Sequence, residues 1–308
     1  MRCSRGFSLV ELVVAMAIML SVTATAFMLM VPSQATFSSQ TEVADMQQRL
    51  RVASDTLSQI LIAAGVGAYA AGDGGALINL FAPVLPYRSG GANPDPPGSY
   101  KTDTITIFSV QRGAAQPVSA TYWLKSDAVA STYQLMVNES TSAADVPVVD
   151  HVVGLAFEYY GDPQPPTMRL TAANPPVAAT TYGPKPPVGA VPPFVAGENC
   201  VFVNDGSPTP QPRLSHLGAG GTALVKLTPA QLADGPWCPD DAAAGRWDAD
   251  LLRIRSIAVT VRVQAALSAS RGPVSVFFAH AGSSRGNPWV PDQEIRFQVS
   301  PRNMNLGR

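Results

Sequence analysis

The chain has 308 residues, with 21 lysines and arginines against 22 aspartates and glutamates, so it carries no basic field for nucleic acid. Charged residues make up 14%, well below the usual quarter of a soluble domain, and 25 glycines with 28 prolines point to a loop-rich head. Such a composition suits a subunit of an assembly better than a protein floating alone.

Residues 1–6 are short and basic, with Arg2 and Arg5. From 7 to 31 the chain is apolar except for one acid, Glu11, and a few hydroxyls. At 1.5 Å rise per residue that run extends about 37 Å, enough to cross a hydrocarbon layer of ~30 Å with some tilt. The arginines hold the N-terminus on the cytoplasmic side. A charged residue at the centre of a spanning helix costs roughly 2.5–3.5 kcal/mol. Glu11 lies one turn from the start, so it costs less, but it still needs a partner. A secretory signal would offer the cleavage site Ala24-Thr25-Ala26, yet its apolar core runs only about 7–15 residues and has no use for an acid. A plain anchor accounts for the run and leaves Gly6 and Glu11 unexplained.

Pro32 removes a backbone donor and is expected to kink or locally melt the helix. Val43, Met46, Leu50, Ala53, Leu57, Ile60 and Ala64 then recur at steps of three and four, the stripe of an amphipathic helix over 32–67. Gly65 and Gly67 supply its stop.

A loop rich in glycine, proline and asparagine follows at 87–100, then strand-like runs at 104–108, 121–124, 133–137 and 148–160. The proline-dense stretch 162–198 cannot be a central strand and reads as an extended surface insertion. Residues 199–250 read as irregular, and strands resume at 254–263, 274–278 and 294–299.

Gly6-Phe7-Ser8-Leu9-Val10-Glu11, behind a basic leader and ahead of the apolar run, resembles the N-terminus of a type IV prepilin or pseudopilin. The resemblance implies that a dedicated peptidase cuts between Gly6 and Phe7, and that Phe7 is then N-methylated. It also implies that Glu11 pairs with the N-terminal amine of a neighbouring subunit during assembly. Three looser patterns look like PilW-type minor pilins, and somewhat less like the J-type minor pseudopilins of type II secretion. They are the helix 49–57 running on to Ala64-Gly65, the run 149–155 leading into Phe157-Glu158-Tyr159, and a last strand ending in Pro301-Arg302-Asn303. One departure stands out: many pilins have a proline at mature position 22, whereas Pro32 falls at mature position 26.

The expected fold is therefore α+β and pilin-like, a long N-terminal helix packed on an antiparallel head. Its parts are a leader at 1–6, a membrane or filament-core helix at 7–31, an amphipathic helix at 32–67 and a β-rich extracytoplasmic head at 68–308. The expected function is that of a minor pilin that helps initiate or cap pilus assembly, single-pass in the inner membrane and then in a pilus or pseudopilus, at its tip. Its expected partners are other minor and major pilins, the prepilin peptidase, the inner-membrane assembly platform and the membrane itself. The alternatives are a minor pseudopilin of a secretion system and an unprocessed, membrane-anchored binding module.

Cys3 would leave with the leader, so Cys200 and Cys238 remain as an even pair in an oxidising compartment. A disulfide between them closes a loop of about 39 residues, worth roughly 3–4 kcal/mol in the chain-entropy account; two buried thiols are the alternative. Neither cysteine has a C-x-x-C neighbour and the three histidines are scattered, which does not fit zinc. The acids Asp234, Asp240, Asp241, Asp248 and Asp250 form a weak calcium candidate, since some related pseudopilins brace their heads with calcium. Their spacing matches no EF-hand, and solvated acids at turns are the plainer reading. Gly218-Ala219-Gly220-Gly221-Thr222 lacks the Gly-Lys-Ser/Thr of a phosphate loop and reads as a turn. Ser215-His216 lacks a hydrolase frame, and His151 sits in a strand pattern where it packs or hydrogen-bonds. No enzymatic activity and no cofactor are expected.

Overall fold

The computed structural model describes residues 8–66, 82–86, 103–109, 118–129, 132–142, 144–165, 169–170, 178–179, 201–203, 205–207, 211–218, 221–238, 247–271, 289–302 and 304. The first element is one helix, α1 (Leu9–Ile62), of 54 residues. Its segment Leu9–Met30 is long and apolar enough, by length and composition, to cross a membrane. Three hydroxyls inside this segment stay satisfied by their own helix. Ser21 donates to the Ala17 carbonyl at 2.6 Å, Thr23 to Met19 at 2.7 Å and Thr25 to Ser21 at 2.9 Å. Such back-bonding lets a polar side chain sit in an apolar stretch without an unmet donor.

The helix does not melt at Pro32; helical backbone continues through it. A proline removes one i→i−4 bond, and the intact turns on either side carry a helix of this length across the gap. Further on, Met46, Leu50, Ala53, Leu57, Leu61 and Ala64 are buried while Val43 and Ile60 are half-buried. This is the expected stripe with Leu61 added. Gly65 stops the helix with φ +74°, a conformation that suits glycine, and its N–H donates to the Phe108 carbonyl at 2.8 Å.

The strands follow in order. They are β1 (Val84–Pro86), β2 (Ile105–Ser109), β3 (Val118–Asp127), β4 (Thr132–Glu139), β5 (Val146–Asp150) and β6 (Val152–Gly161). Next come β7 (Arg169–Leu170), β8 (Ala178–Ala179), β9 (Phe202–Val203), β10 (Gln211–Pro212), β11 (Val225–Leu227), β12 (Trp237–Cys238) and β13 (Trp247–Asp248). A 3₁₀ turn (Ala249–Arg253) leads into β14 (Ile254–Val263), and β15 (Gln293–Val299) closes the series. The expected strand at 274–278, the loop at 87–100 and most of the insertion at 162–198 lie outside the described residues. Within that insertion β7 and β8 form a two-residue antiparallel ladder of their own.

The chain divides into two units, Met1–Gln48 with Gln264–Gln293, and Arg49–Val263 with Glu294–Arg308. In the first, the buried Glu42 carboxylate of α1 accepts from the Ala266 N–H at 2.9 Å. Arg271 donates to the Ala265 and Ala266 carbonyls, and the Val290 N–H to the Ser270 carbonyl.

The two larger antiparallel sheets of the second unit are β1-β2-β3-β4-β5 and β11-β6-β14-β15, beside the two-stranded ladders β7-β8, β9-β10 and β12-β13. The single run expected over 148–160 is two strands in different sheets. His151 alone separates β5 from β6, and its φ of +59° turns the chain from one sheet to the other. Histidine is one of the few side chains that enters this region with some frequency. β6 and β14 pair from Val152↔Val263 to Gly161↔Ile254, burying Leu155, Phe157, Tyr159, Ile257, Val259 and Val261. The fold class is α+β, an N-terminal apolar helix with antiparallel sheets.

Candidate functional site

The first turn of α1 carries the acid that the sequence singles out. Glu11 is the one charged residue in Leu9–Met30, where every side chain is exposed. Four N–H groups at a helix N-terminus lack intrahelical acceptors, and Ser8 and Glu11 answer two of them reciprocally. The Ser8 N–H donates to Glu11 Oε2 at 3.0 Å, and the Glu11 N–H donates to Ser8 Oγ at 3.2 Å. With Leu12 N–H donating to the Ser8 carbonyl at 3.2 Å, this is a capping box of the Ser-x-x-Glu form. The negative charge also faces the positive end of the helix dipole. The spacing that reveals this box, Ser8-Leu9-Val10-Glu11, is present in the sequence. Gly6 and Phe7, the expected cleavage and methylation positions, lie outside the described residues.

The acid-rich loop resolves into a smaller group. Carboxylate oxygens of Asp234, Asp248 and Asp250 lie within 4.8 Å of one another; Asp240 and Asp241 lie outside the described residues. These three are the side chains there that could hold a cation. Asp248 and Asp250 are buried, and both already have protein donors. Asp248 accepts from the Gly235 N–H at 2.7 Å and the Asp250 N–H at 2.8 Å, and Asp250 pairs with the Arg253 guanidinium. Loss of hydration pushes the Asp248 carboxyl up to about 7, reinforced by the nearby Asp250 and Asp234 charges and opposed by its two N–H donors. Burial likewise raises Asp250 to about 6 against the lowering influence of Arg253.

Arg253 is a buried cation that sequence patterning did not reveal. Besides Asp250 it donates to the carbonyls of Asp162, Pro163 and Ser215. Ser215-His216 thus contributes a backbone acceptor to a structural tie. Gly218 has φ +74°, while Ala219 and Gly220 of the expected turn lie outside the described residues. Cys200 and the side chain of Cys238 lie outside the described residues, although the Cys238 backbone pairs with Trp247 in the β12–β13 ladder.

Residues 1–27 match the prokaryotic N-terminal methylation motif, a stretch that ends inside the apolar part of α1 and includes Gly6, Phe7 and Glu11. Comparison of the chain with curated proteins gives no match, and comparison with solved structures gives none. The motif implies, in general terms, assembly with pilus or pseudopilus components. The chain thus carries the prokaryotic N-terminal methylation motif, which supports a type IV prepilin or pseudopilin, joined to an α+β body.

Proposed function

We propose that the protein is a minor pilin, cut between Gly6 and Phe7 by prepilin peptidase, methylated on Phe7, and used to initiate or cap a type IV pilus. The observation that carries this reading is the direct passage of the methylation motif into an exposed apolar helix with a single charge, Glu11. Before assembly that helix holds the subunit in the inner membrane with its head outside. On extraction the same surface packs against other pilins, which replace lipid as its apolar surroundings. Glu11 then meets a neighbour's N-terminal amine in low dielectric, where either charge alone would be costly. A bulky head with a proline-rich insertion is hard to repeat along a packed filament, which supports a place at the tip and partners among the other minor pilins and the assembly platform.

The test is the N-terminal residue of the protein recovered from membranes, read by mass spectrometry with and without the peptidase. Methylated Phe7 appearing only with the peptidase is the expected result. A start at Met1 would leave a plain anchor, and a start at Phe27 an ordinary secreted protein; either would end the assembly reading.

A further inference from the structure

We propose that residues 164–216 are a module inserted into the β6–β11 hairpin and clasped at its neck by Arg253, and that the sheet folds without the module's proline-rich arc, 166–199. β6 and β11 are antiparallel neighbours whose facing ends are in register, Gly161 against Val225. Strands placed in this way can be joined by a turn of about two to five residues. The chain instead leaves the sheet at Asp162 and is back beside its point of departure at 215–217.

Several bonds close the neck. The Leu217 N–H donates to the Pro163 carbonyl at 2.9 Å, and the Gln164 side chain to the Gly221 carbonyl at 3.4 Å. Arg253, just ahead of β14, grips both arms. Its guanidinium donates to the carbonyls of Asp162 at 3.5 Å and Pro163 at 3.2 Å on the outgoing arm, and to that of Ser215 on the returning one. Its own carbonyl accepts from the Asp162 N–H at 3.0 Å. Asp250 holds the guanidinium from the other side, and the arginine is buried.

The returning arm is packed as well. Val201, Phe202 and Leu214 are buried, Phe202 pairs with Pro212, and the Arg213 N–H donates to the Val201 carbonyl at 2.7 Å. These residues belong with the neck. The arc 166–199 lies between the two arms in the chain, and the β7–β8 ladder pairs it with itself. A segment that leaves and re-enters a fold at one place can be shortened at little cost, because closure entropy grows only with the logarithm of loop length. The head therefore carries the arc for a task other than its own folding.

The experiment uses the full-length chain in detergent micelles. In one variant about ten glycines and serines, which reach about 33 Å when extended, replace 166–199. It should melt in one cooperative step at or above the wild-type midpoint, since the shorter loop is easier to close. A midpoint lower by more than about 5 °C would show that the arc supports the fold and overturn the proposal. In a second variant a specific protease site replaces 183–188 and is cut after folding. Halves that stay together and melt at the uncut midpoint uphold the module, and halves that separate without denaturant overturn it; this result decides if the linker itself hinders folding. The clasp is read by hydrogen exchange in Arg253→Lys, which keeps the charge and loses the fork. Exchange at 215–218 should speed up at least about fivefold more than in the β6–β14 ladder. Equal acceleration at both places would show that Arg253 serves the whole fold and not the neck.

Discussion

Glu42 and Ala266 are 224 positions apart in the chain, yet the Ala266 N–H donates to the Glu42 carboxylate at 2.9 Å. The acid is buried, so its removal leaves a backbone donor without an acceptor in a place with little water. Glu42→Ala should cost about 1–3 kcal/mol. Glu42→Gln keeps a carbonyl oxygen and should cost less than about 1 kcal/mol. Thermal midpoints of the two variants in detergent test the difference, with limited proteolysis at 264–271 reporting whether the loss is local.

Arg253 joins three stretches of chain in the second unit, since its guanidinium reaches Asp250, the carbonyls of Asp162 and Pro163, and that of Ser215. Removing one member of a buried ion pair strands the other charge, so Arg253→Ala should destabilise by about 3–5 kcal/mol. Lysine has the charge but not the planar fork, so Arg253→Lys should remain at least about 1 kcal/mol below wild type. Urea unfolding measures both, and a lysine variant of native stability would refute the importance of the fork.

The local signals in this sequence were legible, and the tertiary ones were not. The methylation motif, the stripe from Met46 to Ala64 and the glycine stop at Gly65 depend on neighbours within a few residues; the motif is matched at residues 1–27, and the structure places the stripe and the stop as read. The local cost of Pro32 points to a kink or a melted turn, and the cooperativity of the long helix around it keeps the backbone helical there. His151 was missed because a continuous apolar run carries no mark where one strand changes sheet, and a single left-handed residue suffices for the turn. The carbonyls that accept from Arg253 and the N–H that meets Glu42 lie tens to hundreds of residues away, where periodicity says nothing. The acid loop shows both cases. Its composition pointed to a cluster, but only the β12–β13 ladder and the turn after it decide that Asp248 and Asp250 are buried while Asp234 is exposed.

The cysteine pair gives a prediction from export alone. Intact protein should gain the mass of two hydrogens on reduction, and native protein should present no alkylatable thiol at Cys200 or Cys238. Serine at either position should lower stability by about 2–4 kcal/mol. Two thiols that alkylate in the native, unreduced protein would refute the pairing.

Asp248 and Asp250 set the sign of the pH dependence. Their folded-state carboxyls are raised, to about 7 and about 6, above the ordinary value of 3.8. Between these limits the folded protein binds more protons than the unfolded chain, so stability falls as pH rises. The contribution is fully present below about pH 4 and is lost as pH passes through about 6 and then 7. Glu158 works in the opposite direction. Its carboxylate accepts from Lys226 and lies 2.5 Å from the Lys226 Nζ and the Arg296 Nη2, contacts that lower it, so its smaller contribution is lost as pH falls. The raw stability curve sums these, and the informative quantity is the difference between wild type and Asp248→Asn. Asparagine keeps an oxygen for one of the two N–H donors but has no proton to lose. Wild type should therefore lose stability relative to Asp248→Asn as pH is raised from about 5 to about 7.5, measured as urea midpoints across the range. Parallel curves would mean that the buried carboxyl does not titrate in this window.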